Sequence, residues 1–128
     1  MILLALSVSG CAGKTTDLPP SENYEGFLKQ VTPLLCEKML VCYEKLTRTV
    51  SPEAFRELTP ENCARVALQN LETKIAAHSE SMKKLSIICY EAELSAPCHQ
   101  FATIAYWHPA CSALRVESEK AFREPKGR

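Results

Sequence analysis

Six cysteines distributed from Cys36 to Cys111 constrain the fold of this 128-residue chain more than any other feature. They are Cys36, Cys42, Cys63, Cys89, Cys98 and Cys111. A seventh, Cys11, stands apart at the end of the apolar run Met1-Ile2-Leu3-Leu4-Ala5-Leu6-Ser7-Val8, after Ser9-Gly10. So many thiols in a reducing compartment would need a metal, whereas in an oxidising one they pair. The odd count therefore divides into one cysteine with a separate task and six that form a framework. A chain of this length supports a single core.

The sequence between the cysteines reads as helix. Glycine is scarce, at four residues, and the prolines precede apolar-periodic stretches. Tyr24, Phe27, Leu28, Val31 and Leu35 recur at three- and four-residue steps, the period of an amphipathic helix. Thr32-Pro33 fits an N-cap followed by a first helical position, which predicts a new or kinked helix there. That helix would carry Leu35, Met39, Cys42 and Leu46 on one stripe. Ser51-Pro52-Glu53 and Thr59-Pro60-Glu61 repeat the punctuation, each with a glutamate suited to the helix N-terminus. From Cys63 through Ala67, Leu71, Ile75, His78, Met82, Leu85 and Cys89 to Ala92 the period persists. This predicts either one helix over 60–93 or two that break near His78-Ser79-Glu80-Ser81. Ala96-Pro97 ends that element, Cys98–Tyr106 forms a short apolar helix, and His108-Pro109 starts a last one with Cys111, Leu114, Ser118 and Phe122 inward. No strand and no repeat of fixed period is found. The expectation is an all-α fold, a small bundle of about four to five helices stapled by three disulfides.

Helical geometry limits the pairing. Cys36 and Cys42 are six residues apart and point about 120° away from each other, so they reach different neighbours. An antiparallel hairpin turning near Pro52 would join Cys42 to Cys63, and Cys89 with Cys98 could bridge the Pro97 corner, leaving Cys36 for Cys111. This set is one of the fifteen connectivities that six cysteines allow. Three bridges at ~2–4 kcal/mol each would match the net stability of a typical small domain.

The segment Val8-Ser9-Gly10-Cys11 resembles the lipobox of bacterial lipoproteins, in which the cysteine is diacylglycerylated and becomes the new N-terminus. The resemblance implies that residues 1–10 are a signal peptide and that Cys11 is the lipid attachment site. No Lys or Arg precedes the apolar run, so the signal is read as incomplete at its N-terminus. Residues 11–22, small, polar and proline-bearing, have the composition of a flexible tether, and about ten of them extend roughly 30–35 Å. Ala12 after the anchor favours, by analogy with bacterial lipoproteins, the outer membrane, with the folded part on its periplasmic face or the cell surface. Residues 23–122 form the helical cysteine-rich domain, and 123–128 a charged, disordered tail. Within that domain the cysteine spacing and the Pro/Glu punctuation over residues 33–115 resemble small cysteine-rich helical lipoproteins of bacterial envelopes. That likeness implies a stapled helical scaffold and no particular ligand.

Chemistry-bearing groups are few. Fifteen basic and fifteen acidic side chains cancel, so no net field recruits nucleic acid or an anionic membrane. Lys83-Lys84 is too short for a nucleic-acid patch. Cys98-His99 and His108 with Cys111 offer a tetrahedral zinc set, but using it would break up the six-cysteine framework, and no metal is expected. Cys-x-x-Cys and Gly-x-Ser-x-Gly are both missing, which argues against thiol-redox and serine-hydrolase chemistry. His78 falls on an apolar stripe, as a hydrogen-bonded structural histidine does. Glu91 and Glu93 read as a solvated rim near a helix end. Tyr106-Trp107-His108 either plugs the end of the bundle or forms a partner-binding corner. The resulting expectation is a non-catalytic, lipid-anchored envelope protein with a binding or structural role. It needs no cofactor and no small-molecule substrate is identified, while a protein partner in the envelope is possible. The alternatives are an exported accessory or inhibitor factor and a metal-binding carrier.

Overall fold

Asn23 caps the first described helix by accepting a hydrogen bond from the Gly26 amide at 3.2 Å, which satisfies a free donor of the first turn. A Cβ at residue 26 would lie 2.7 Å from Asn23 Oδ1, so this close cap depends on bare backbone at that position. The computed structural model describes residues 23–123. The segments expected to be signal peptide (1–10) and tether (11–22), with Cys11, and all but the first residue of the expected tail (123–128) lie outside the described residues.

Eight helical segments follow in order: α1 (Tyr24–Cys42), α2 (Glu44–Thr47), α3 (Pro52–Glu57), α4 (Pro60–Ala67), α5 (Leu71–Ala76), α6 (Glu80–Ser95), α7 (Cys98–Trp107) and α8 (Pro109–Arg123). No strand occurs among the described residues. The all-α, three-disulfide expectation holds, with more and shorter segments than the four to five anticipated. Ser51, Thr59 and Ser79 cap α3, α4 and α6, each accepting from the amide three residues on. The sequence signals placed the first two starts and gave the third as one of two alternatives.

Two boundaries differ from expectation. Pro33 neither opens nor splits a helix but lies inside α1. It removes one amide from the ladder, yet Phe27, Leu28 and Val31 before it and Cys36 after it are all buried, and that shared face holds the helix through. The stretch 60–93 is neither one helix nor two. It breaks at Ser79 as anticipated and again at Asn70, whose φ of 55° places it in the left-handed region, a conformation asparagine tolerates.

The core has two centres. Tyr24, Phe27, Leu28 and Val31 of α1 pack with Leu71 and Ile75 of α5 and with Ile87, Tyr90 and Leu94 of α6. Cys89 with Ala110 and Cys111 forms the second, packed against Leu85, Tyr90 and Leu114. Helix α6 contacts both α1 and α8 and so joins the two centres. Lys38 ties α1 to the end of α6, donating to the Leu94 carbonyl at 2.5 Å and to the Ala96 carbonyl.

All three expected disulfide pairings are replaced. The structure joins Cys36–Cys63, Cys42–Cys98 and Cys89–Cys111, with Cα–Cα separations of 5.8, 4.9 and 4.8 Å. Cys36 and Cys42 do reach different neighbours. However, α4 docks on α1 beside Cys36, while Cys42 at the end of α1 meets the start of α7, so Cys42–Cys63 does not form. Cys89 lies six residues before the end of α6, ~9 Å along the axis, beyond reach of the Pro97 corner. It faces α8 instead, which excludes both Cys89–Cys98 and Cys36–Cys111.

Candidate functional site: a crevice beside α1

Between α1, α4, α5, α6 and α7 lies an open crevice of about 660 Å³. Its walls are mostly apolar, with Leu28, Leu35, Leu71 and Phe101 among them, and one flank is the Cys36–Cys63 disulfide. The size and the apolar lining with a few polar groups are those of a small-ligand site. Thr32 and Tyr43 contribute hydroxyls to the lining, and Lys74, His78, Tyr90 and Glu93 complete its polar part.

Each of these last four is set by its element. Lys74 donates to the Ala67 carbonyl at 2.8 Å, so its ammonium caps the end of α4. His78 follows α5, and its Nδ1 lies 3.0 Å from the Tyr24 hydroxyl. Burial first, and the Lys83 ammonium second, hold its pKa below the ordinary histidine range. The tautomer of the imidazole sets which partner donates in this bond, the phenol to Nδ1 or Nδ1–H to the phenol oxygen. The same burial raises the Tyr24 phenol, against a lowering influence of Ser86 and Lys83.

Tyr90 is the most displaced group. Burial, with smaller contributions from Tyr24 and Glu93, pushes its pKa up to about 12. Its ring stacks on Phe27 at 6.3 Å and 9° between planes. Ser86 Oγ, wholly buried, has no hydrogen-bond partner among the described residues. Ser86 has a lowering influence on both the Tyr24 and Tyr90 phenols that is smaller than the raising effect of burial.

Glu93 corrects the reading of Glu91 and Glu93 as a solvated rim. Glu91 is exposed, whereas Glu93 is half-buried, and burial raises its pKa above the ordinary carboxyl value. Glu93 Oε1 lies 3.6 Å from Cys89 Sγ. That sulfur belongs to a disulfide and has no proton, so the approach becomes a hydrogen bond only when the carboxyl is protonated and donates. Cys89, Glu93 and Cys111 are the one metal-compatible cluster among the described residues. Both sulfurs are bonded to each other, so no thiolate is present to bind an ion. The Cys98, His99, His108 and Cys111 set weighed from the sequence offers no thiolate either, because Cys98 and Cys111 belong to different bridges.

The Tyr106-Trp107-His108 corner is not a plug. Trp107 is 71% and Tyr106 53% exposed, and their rings meet edge to face at 4.7 Å. The Arg115 guanidinium sits 4.2 Å from the Tyr106 ring centre and donates to the Tyr106 carbonyl. His108 is half-buried, and its Nδ1 accepts from the Ala110 amide at 3.2 Å at the start of α8.

Sequence reasoning found His78 as a hydrogen-bonded histidine but missed the crevice. Tyr43, Tyr90, Glu93 and Phe101 come from three elements whose mutual placement depends on the disulfide pairing. The spacing Ser86, Tyr90, Glu93 marks a second buried face of α6 and was the available signal. No helix among the described residues is long and apolar enough to cross a membrane. No family model, no curated protein and no solved structure matches the chain.

Proposed function

We propose that this protein is a non-catalytic binding protein of a bacterial envelope, held at the membrane by a lipid on Cys11 and binding a small apolar or amphipathic molecule in the α1 crevice. The likeness of Val8-Ser9-Gly10-Cys11 to a lipobox supports the anchor. Pairing of all six remaining cysteines supports an oxidising compartment. The observation that carries the binding role is the crevice itself, apolar in its walls and edged by a phenol, an imidazole and a carboxyl. An apolar body would be taken out of water by the walls, and a polar end would meet Tyr90, His78 or Glu93 at the edge.

The test is fluorescence titration of the full chain with N-phenylnaphthylamine, alongside Ala105→Trp, which fills the crevice from α7. Saturable one-site enhancement that weakens at least tenfold in A105W is expected. Enhancement that does not saturate, or that A105W leaves unchanged, contradicts the binding role.

A second reading, an accessory or inhibitor acting on another envelope protein, is favoured by the outward Trp107 and Tyr106 beside Arg115. Exposed aromatic and arginine side chains are the residue types that dominate protein interfaces. Trp107→Ala would weaken capture of such a partner while leaving probe binding in the crevice intact.

A further inference from the structure

The three disulfides occupy different surroundings. Cys89 and Cys111 are 3% and 4% exposed, and Cys36 is buried against a half-buried Cys63. Cys98, in contrast, is exposed and its partner Cys42 half-buried. The Cys42–Cys98 bridge also forms part of a second open groove, of about 510 Å³, walled by Leu34, Val41, Leu94 and Pro97 and bearing Glu37 and Lys38.

The ends of this bridge sit at opposite helix poles. Cys42 is the last residue of α1, where the helix dipole disfavours a thiolate. Cys98 is the first residue of α7, a ten-residue helix whose N-cap, Pro97, makes no side-chain cap bond. The positive pole of the helix dipole at that terminus stabilises a thiolate. Lys38 adds a positive charge in the same groove, fixed on the Leu94 and Ala96 carbonyls. Glu37, its neighbour on α1, lines the same groove, and His99 follows Cys98 in the chain.

We propose that Cys42–Cys98 is a thiol–disulfide exchange site for a small thiol, with Cys42 the sulfur attacked and Cys98 the leaving group. The incoming thiol gives its proton to solvent, and its thiolate attacks Cys42 Sγ. The Cys42–Cys98 bond breaks and its electron pair leaves on Cys98 Sγ as thiolate, so the incoming sulfur ends in a mixed disulfide with Cys42. The Cys98 thiolate can return by attacking Cys42 Sγ and expelling the thiol. A dithiol can instead close its own disulfide with its second thiolate, releasing Cys42 as a thiol and leaving the bridge reduced by two electrons. Attack at the more shielded sulfur is favoured because the lower-pKa thiol leaves faster. Cys36–Cys63 still holds α1 to α4, and Cys89–Cys111 holds α6 to α8, so the bundle outlasts the opening.

The test is timed exposure of the full chain to reduced glutathione at pH 7.5, then acid quenching, alkylation and peptide mapping. Cys42 and Cys98 are expected to become modified at least tenfold faster than the other four, with glutathione on Cys42 and the alkylating group on Cys98. Equal rates for all three bridges, or glutathione mainly on Cys98, would overturn the proposal. Alkylation rates against pH in Cys42→Ser and Cys98→Ser provide a second readout. The Cys98 thiol should titrate below the ~8.5 of free cysteine and Cys42 at or above it, and the reverse order would overturn the assigned polarity.

Discussion

Removing the Cys42–Cys98 bridge and removing Cys89–Cys111 should cost different amounts for separable reasons. The bridges close loops with sequence separations of 56 and 22 residues. Chain entropy alone assigns ~4.2 kcal/mol to the first and ~3.4 kcal/mol to the second at 25 °C. Burial reverses that order. Serines at 89 and 111 would place two hydroxyls among Leu85, Tyr90, Ala110 and Leu114, at ~1–3 kcal/mol for each one left unsatisfied. A serine at exposed Cys98 remains solvated and adds nothing comparable. The expected losses are therefore ~4 kcal/mol for Cys42→Ser with Cys98→Ser and ~5 kcal/mol or more for Cys89→Ser with Cys111→Ser. Equilibrium urea unfolding followed by far-ultraviolet circular dichroism measures both. With a slope of ~2 kcal/mol per molar urea the midpoints should fall by roughly 2 M and by more than 2 M. A larger loss from the 42/98 pair than from the 89/111 pair would refute the view that burial, rather than loop length, decides the ranking.

Two further substitutions probe the core and its acid sensitivity. Phe27→Ala removes a wholly buried ring that stacks on Tyr24 and Tyr90 and should lose ~3–5 kcal/mol in the same urea assay, whereas Phe55→Ala on α3, which buries no residue, should lose under ~1 kcal/mol. Because burial lowers the His78 pKa in the folded state, the unfolded chain binds the proton first as pH falls. Stability is then full above the unfolded histidine value of ~6.5 and declines as pH drops through the folded one. A thermal midpoint followed from pH 7.5 to 5 should fall more in the parent chain than in His78→Gln, and parallel curves would count against this role.

The local elements were largely legible in the sequence because their signals are local. Ser51, Thr59 and Ser79 each supply a side-chain oxygen within three residues of the amide it caps, and Pro97 and Pro109 bracket α7 without help from the rest of the fold. Pro33 misled because the opposing evidence was tertiary: one buried face continues past it. Asn70 carried a readable cue in its tolerance of positive φ, but no proline or glycine accompanied it. The pairing of cysteines was legible only as a prohibition. The 120° divergence of Cys36 and Cys42 sends them apart, but which neighbour receives each depends on where α4, α7 and α8 dock. The crevice inherits that dependence, since Tyr43, Glu93 and Phe101 face one space only after Cys42 has met Cys98 and Cys36 has met Cys63. Trp107 shows the opposite limit, because an aromatic residue before a proline reads the same whether it fills a core or faces solvent.

The most direct test of the anchored, disulfide-stapled scaffold is mass spectrometry of the protein from its native envelope, intact and after proteolysis without reduction. The account predicts an N-terminus at a lipidated Cys11, thiols that alkylate only after reduction, and crosslinked peptides joining Cys36–Cys63, Cys42–Cys98 and Cys89–Cys111. An unlipidated chain that retains residues 1–10 and whose six framework cysteines alkylate without reduction would contradict it.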